Sequence, residues 1–263
     1  GSNLFRSDDA GITWNKLSGG PSGLMPHHFA LTPDGTLYLT FNNRPGPNGI
    51  TYGEVWKYHY ENNNWDNISP SNTGGGFGGI TCHPDNPDFI VVTTIDRWRP
   101  SDEIYRSADA GKTWEKIGST AIKDIQGVNY LYWSRDTSDP SNISSTGWMG
   151  DIDIDPFNPD RAFYVTGQGV WCSDNISGVP ENILWRFENR ELEETVVLDM
   201  TSSVNGALFS AVGDLGGFRH TPDSLHLPSK SGMYSNPVFA NCDGIDYAAL
   251  NPEFVVRCGT SGS

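Results

Sequence analysis

The chain of 263 residues is poor in basic side chains: 17 Lys and Arg stand against 32 Asp and Glu, a formal net charge of −15. Nucleic acids and anionic membrane surfaces are held by clustered Lys and Arg. Here these residues are scarce and scattered, which argues against both partners. No apolar run reaches membrane-spanning length. The four cysteines, Cys82, Cys172, Cys242 and Cys258, form no Cys-x-x-Cys pair. That argues against a zinc site and leaves the thiols either free or in one or two disulfides. His27-His28 has no further ligand at metal spacing, so no metal and no cofactor is expected. Sustained helical periodicity is also missing.

What is present points to strands. Hydrophobic residues are only 36%, but aromatics are 12%, with 30 Gly and 17 Pro. This composition favours an all-β fold of short strands closed by frequent turns. A neutral ligand such as a carbohydrate suits so acidic a chain. Three Asn-x-Ser sequons, at Asn67, Asn142 and Asn175, would accept glycans in a secreted eukaryotic protein. The opening Gly1-Ser2 reads as an artificial leader rather than a natural start.

Two segments match closely: LFRSDDAGITW (Leu4–Trp14) and IYRSADAGKTW (Ile104–Trp114). A worn copy, VWKYHYENNNW (Val55–Trp65), lies midway, and a fourth trace is GVWCSDNIS (Gly169–Ser177). Trp14, Trp65 and Trp114 are spaced by 51 and then 49 positions, a period that signals a stacked β array. Within the motif, Ser and Asp bond to nearby backbone, Gly supplies a positive φ, and Trp opens the next strand. The motif resembles the Asp-box, or BNR repeat, of sialidase-like β-propellers. On that reading Asp9 and Asp109 are structural. At roughly fifty residues per blade, the chain holds about five four-stranded antiparallel blades.

Further anchors follow in order: GLMPHHFALTPDGTLYLTFNNRPGPNG, TIDRWRPSDEIYRSADAGKTW, GWMGDIDIDPFNPDRAFYVTGQGVWCSDN, LEETVVLDM, SAVGDLGGFRH and GIDYAALNPEFVVRCG. Together they resemble glycoside hydrolase family 74, the xyloglucan-active β-1,4-glucanases and related reducing-end-specific cellobiohydrolases. The resemblance covers nearly the whole chain. It implies two seven-bladed propellers in tandem with substrate between them. Residues 1–190 would be later blades of the first propeller and residues 191–263 the opening of the second, the changeover falling near Glu188–Glu194. It implies a secreted enzyme and, as partners, xyloglucan or a related β-glucan and the remainder of the parent protein.

The family is inverting and uses two aspartates, one as general acid and one to activate water. The GD-x-GGF segment of the second propeller matches Gly213 to Phe218, so Asp214 inherits the role of general acid. Partial desolvation there would raise its pKa, as an acid catalyst requires. The partner aspartate belongs to a TD-x-GG-x-YR segment, and none occurs in this sequence. Glucan chains stack on aromatic rings. Candidates in loop-like contexts are Trp98, Trp148 and the cluster Tyr130, Tyr132 and Trp133. Arg219 and His220, next to the glycine turn, are candidates to orient substrate or Asp214. Asp151, Asp153 and Asp155 alternate on one strand face; Asp155 reads as a turn residue and Asp151 as a group within reach of the cleft. The competing reading is a non-catalytic Asp-box propeller, a carbohydrate- or protein-binding module like the sortilin-type receptors.

Overall fold

The structure is a computed structural model and describes residues 4–71, 74–125, 146–188, 195–221 and 232–261. The residues up to 188 form one compact unit and those from 195 a second. The first unit opens with a hairpin, β1 (Phe5–Arg6) and β2 (Asn15–Lys16). A four-stranded antiparallel sheet follows: β3 (Met25–Leu31), β4 (Thr36–Asn42), β5 (Gly53–His59) and β6 (Asn64–Asn67). A second such sheet is β7 (Gly76–His83), β8 (Asn86–Ile95), β9 (Ile104–Ser107) and β10 (Glu115–Lys116). In both, strands pair in chain order, as propeller blades do.

The third sheet departs from the expected four strands. β11 (Ile122–Asp124) runs parallel to β15 (Leu184–Phe187) and adds a fifth strand outside β12 (Ile152–Ile154), β13 (Ala162–Thr166) and β14 (Gly169–Ser173). The chain leaving β10 is drawn along that open edge, where the Ile122 N–H donates to the Ile183 carbonyl at 2.8 Å. The second unit holds β16 (Val197–Ser202), β17 (Leu208–Val212) and β18 (Phe218–His220), and the long hairpin β19 (Phe239–Ala248) with β20 (Asn251–Ser261). Its core is Ala207, Phe209, Ala211, Cys242 and Ile245. All four cysteines are free thiols.

The Asp-box turns explain why these residues recur. In the second good copy Ser107 Oγ donates to Asp109 and accepts the Gly111 N–H at 2.8 Å. Asp109 in turn accepts the Thr113 N–H at 2.8 Å and the Thr113 hydroxyl at 2.6 Å. Ser7, Asp9, Gly11 and Thr13 repeat the pattern. Those bonds, from the Thr side chain first, hold each Asp carboxyl down at about 2. An acid saturated by its own turn is a structural group.

The tryptophans then join neighbouring sheets. Trp65 Nε1 donates to the Ser18 carbonyl just past β2, at 2.9 Å. Trp114 donates to Ile68, just past β6, at 2.8 Å. Trp185 donates to Ile117, just past β10, at 3.0 Å. The fourth trace is therefore real, but the tryptophan that joins it to the preceding sheet, Trp185, lies outside Gly169–Ser177. Asn175 stands in the Asp position and accepts the Leu184 N–H at 3.0 Å, which makes Trp185 the counterpart of Trp114. An insertion with a 3-10 turn at Pro180–Asn182 separates the two and hides the spacing. Around these bonds the sheets pack through Tyr38, Val55, Phe77, Ile80, Ile90, Val92 and Tyr105, with Trp114 against them.

Replacing Trp114 by Phe keeps one aromatic ring but deletes the pyrrole ring and its bond to Ile68. Stability should fall by at least about 1 kcal/mol, the usual net worth of such a bond, with lost packing added. Trp14 is 61% exposed, and among the described residues its indole N–H bonds to Gly11 in its own turn. Trp14→Phe should therefore change stability by less than about 0.5 kcal/mol. Denaturant melts of the two variants check the contrast.

Candidate functional site

Asp214 sits on the turn between β17 and β18. Val212, Leu215 and Phe218 are buried together with Met233 against them, and they anchor the turn from below. Gly216 and Gly217 have φ of 82° and 117°. A Cβ at Gly217 would fall 2.0 Å from the Ser210 carbonyl oxygen, so only glycine lets the chain double back there. Asp214 itself is left-handed, with φ of 63°, a strained setting for a side-chain-bearing residue. Its N–H is fixed by Asn241 Oδ1 at 2.9 Å. Between Gly213 and Phe218 it is the one exposed residue. Among the described residues its carboxylate accepts no hydrogen bond. The backbone is thus pinned on all sides while the acid is held open.

Among the described residues the Asp214 side chain is open to solvent. The neighbours in the turn are glycines or side chains directed inward, so nothing within this hairpin covers the carboxylate. His220 does not reach it. The His220 ring is braced on its own hairpin, with Nε2 2.9 Å from Ser210 Oγ, and burial lowers its pKa. Arg219, on the alternate face of β18, is exposed.

The first unit carries the aromatic candidates. In each antiparallel sheet the start of the first strand pairs with the end of the second: Met25 with Asn42, and Gly76 with Ile95. The β8–β9 loop therefore lies at the same edge as the segment leading into β12. These two connections carry Trp98 and Trp148, whose ring centroids are 5.6 Å apart in an edge-to-face arrangement at 77°. Trp98 is 62% exposed and Trp148 36%. Trp98 Nε1 donates to Asp96 Oδ1 at 3.0 Å, and Asp96 Oδ2 accepts the Ile50 N–H at 2.8 Å. Trp148 lies against Gly167, where a Cβ would come within 3.0 Å of the ring. The result is an exposed pair of indoles on a rigid support. Tyr130, Tyr132 and Trp133 lie outside the described residues.

Asp102, which sequence reading passed over, holds both loops. It is 2% exposed, and its Oδ1 accepts the Arg97 N–H at 3.0 Å and the Thr94 hydroxyl at 3.1 Å. The Met149 N–H lies near the same carboxyl, and Thr93 Oγ1 donates to the Met149 carbonyl at 3.0 Å. Arg97 and Met149 are the neighbours of Trp98 and Trp148. Burial pushes Asp102 up to about 6, against the opposing hydrogen bonds and the charge of Arg97. The only signal in the sequence was its place inside WRPSDE.

Asp151 and Asp153 are exposed while Ile152 and Ile154 are buried, so the alternation holds. Asp155 Oδ1 accepts the Phe157 N–H at 2.8 Å, the turn role its setting suggested. Among the described residues no group of three or more His, Cys, Asp or Glu is placed to hold a metal ion.

No family model matches the sequence. A xyloglucanase from Paenibacillus sp is 35% identical over 274 residues, covering 97% of this chain and 26% of that protein. A xyloglucanase of Acetivibrio thermocellus is 37% identical over 276 residues, covering 96% of this chain and 32% of that protein. Among solved structures, the GH74 xyloglucanase from Xanthomonas campestris superposes with a TM-score of 0.73 at 35% identity, over 98% of this chain and 36% of its own. The chain matches a segment of glycoside hydrolase family 74 enzymes. It spans between 26% and 36% of the length of these relatives. A family 74 enzyme of Niastella koreensis gives a TM-score of 0.71 at 28% identity, again over 36% of its length.

Asp102 carries a prediction with a definite sign. Its folded pKa of about 6 lies above the ordinary 3.8. Folding therefore favours the protonated acid, and stability is lost as pH rises from the ordinary value through about 6. Asp102→Asn keeps the shape and an acceptor oxygen without the charge. Relative to the unaltered chain it should gain up to about 3 kcal/mol between pH 4 and pH 7. Thermal melts of both across that range measure the difference.

Proposed function

We propose that the whole protein containing this segment cleaves the β-1,4-glucan backbone of xyloglucan with inversion, and that Asp214 is its general acid. The observation that carries the reading is the Asp214 turn: a backbone fixed by Asn241 and two glycines, presenting one open carboxyl group. An acid that must meet a glycosidic oxygen has to be both accessible and fixed in place. Glycines beside it let a bulky polysaccharide approach the backbone. The Trp98–Trp148 pair supports the same reading as a stacking surface for a pyranose face. Xyloglucan is a polymer met outside the cell, so the enzyme acts as a secreted protein. The water-activating carboxylate belongs to a part of the protein whose motif this sequence does not contain.

In the whole enzyme, Asp214→Asn should lower kcat on xyloglucan by about 10²–10⁴-fold, the usual worth of general acid assistance. KM should hardly move, because the amide keeps the shape but has no proton to give. An aryl glycoside with a good leaving group should suffer less. Unchanged turnover in a folded variant would remove Asp214 from the mechanism and leave the binding-module reading in its place. The 263-residue chain alone should not turn over xyloglucan, since one of the two carboxylates is missing. Turnover by the purified chain would mean that its second carboxylate lies within these residues.

A further inference from the structure

Three successive inner strands present matching residues at one position. Pro26-His27-His28-Phe29 in β3, Phe77-Gly78-Gly79-Ile80 in β7 and Met149-Gly150-Asp151-Ile152 entering β12 occupy equivalent places. Both β3 and β7 shift register there, between Pro26 and Phe29 and between Phe77 and Ile80. The connections are similar, displaced by one residue between the two pairs of sheets. Thr40 Oγ1 donates to the Gly78 carbonyl at 2.9 Å, as Thr93 Oγ1 does to Met149. Thr40 Oγ1 also accepts the His28 N–H at 3.0 Å. The middle strand has no side chain at this level. A Cβ on Gly79 would lie 2.3 Å from Asp151 Oδ1, and one on Gly78 would lie 2.1 Å from the Met149 carbonyl. Across this notch His28 Nδ1 and Asp151 Oδ1 meet at 3.2 Å, although 123 positions separate them in the chain.

The pair is half open to solvent, with side-chain exposures of 33% and 53%. Asp151 Oδ1 is also held by the Ile152 N–H at 2.9 Å. Among the described residues Asp151 Oδ2 and His28 Nε2 make no hydrogen bond. A fixed acceptor and a fixed donor therefore stand side by side. Both lie at the edge of the sheets that carries Trp98 and Trp148, and Asp151 is three residues from Trp148. A sugar hydroxyl is at once a donor and an acceptor and matches such a pair, whereas an aromatic face supplies stacking without direction.

We propose that His28 and Asp151 form a sugar-hydroxyl subsite, binding one pyranose unit of a β-glucan beside the Trp98–Trp148 stacking surface. This deepens the function proposed above and rests on it. Asp151 accepts a hydrogen bond from the sugar hydroxyl, and the charged imidazole donates one to the same or the adjacent hydroxyl. The groups facing His28 are Asp151, Asp153 and the tilted ring of His27, whose centroid is 4.8 Å away. Asp151 raises the His28 pKa above its ordinary value, against burial and with a smaller push from Asp153. Burial, and then His28 itself, lower that of His27. One charge on the histidine pair is thereby confined to His28. Binding should weaken as pH rises through the raised His28 value, since the imidazolium is then lost.

Calorimetric titration of the 263-residue chain with a xyloglucan-derived oligosaccharide tests this, with melting curves for each variant. Asp151→Asn and His28→Gln should each weaken binding about tenfold, as loss of a charge-assisted hydrogen bond implies. The double variant should be little worse than either, because the two act as one unit. His28→Gln should also abolish the decline of affinity at higher pH. If one variant fails to fold, the other decides. Folded variants that bind as the unaltered chain does, while Trp98→Ala weakens binding, overturn the subsite and leave the stacking surface standing. Failure of the unaltered chain to bind overturns the subsite together with the glucan reading of this surface.

Discussion

One interaction recurs at each sheet boundary of the first unit: an indole N–H in or beside the last strand of a motif donates to a carbonyl just past the last strand of the preceding sheet. Trp65 reaches Ser18, Trp114 reaches Ile68 and Trp185 reaches Ile117. Each bond is modest in energy. Its consequence is geometric. It sets each sheet against its predecessor at the outer rim, while Thr40 and Thr93 do the same at the inner strands. With both edges fixed, the connections at one edge of the sheets have little freedom. Trp98, Trp148 and Asp151 owe their places to that restraint rather than to local preference.

The Asp-box was legible from sequence because its chemistry is local. Ser107, Asp109, Gly111 and Thr113 bond to one another within a single turn, so their order along the chain is their arrangement in space. Trp185 escaped because the inserted Pro180–Asn182 turn breaks the spacing while preserving the Asn175 bond that defines the motif. β11 escaped for a similar reason: joining an open sheet edge depends on which edge is free, and no pattern of side chains announces it. The free edge of β15, not anything within Ile122–Asp124, decides that strand.

The candidate sites divide along the same line. The Asp214 turn could be read from Gly213 to Phe218 alone, since the glycines, the left-handed acid and the strand ends are contiguous. Its exposure could not, because burial is a property of what surrounds the turn. Trp98 and Trp148 were candidates singly, but their edge-to-face pairing and the buried Asp102 behind them depend on two loops meeting. His27-His28 looked inert in sequence, as its partner Asp151 is brought near only by the missing side chain at Gly79. The glycines of GGGFGG are thus as informative as the charged residues: they mark where one strand must yield to its neighbours.

The central claim is that the tryptophans of the first unit do two different jobs: Trp65, Trp114 and Trp185 join sheets, and Trp98 and Trp148 meet glucan. The most direct test follows the indole N–H resonances of the 15N-labelled chain during titration with a xyloglucan-derived oligosaccharide. The account predicts that the Trp98 and Trp148 signals shift progressively with added sugar while those of Trp65, Trp114 and Trp185 stay in place. Shifts confined to the three joining tryptophans, or no shift at Trp98 and Trp148 at saturating sugar, would contradict it.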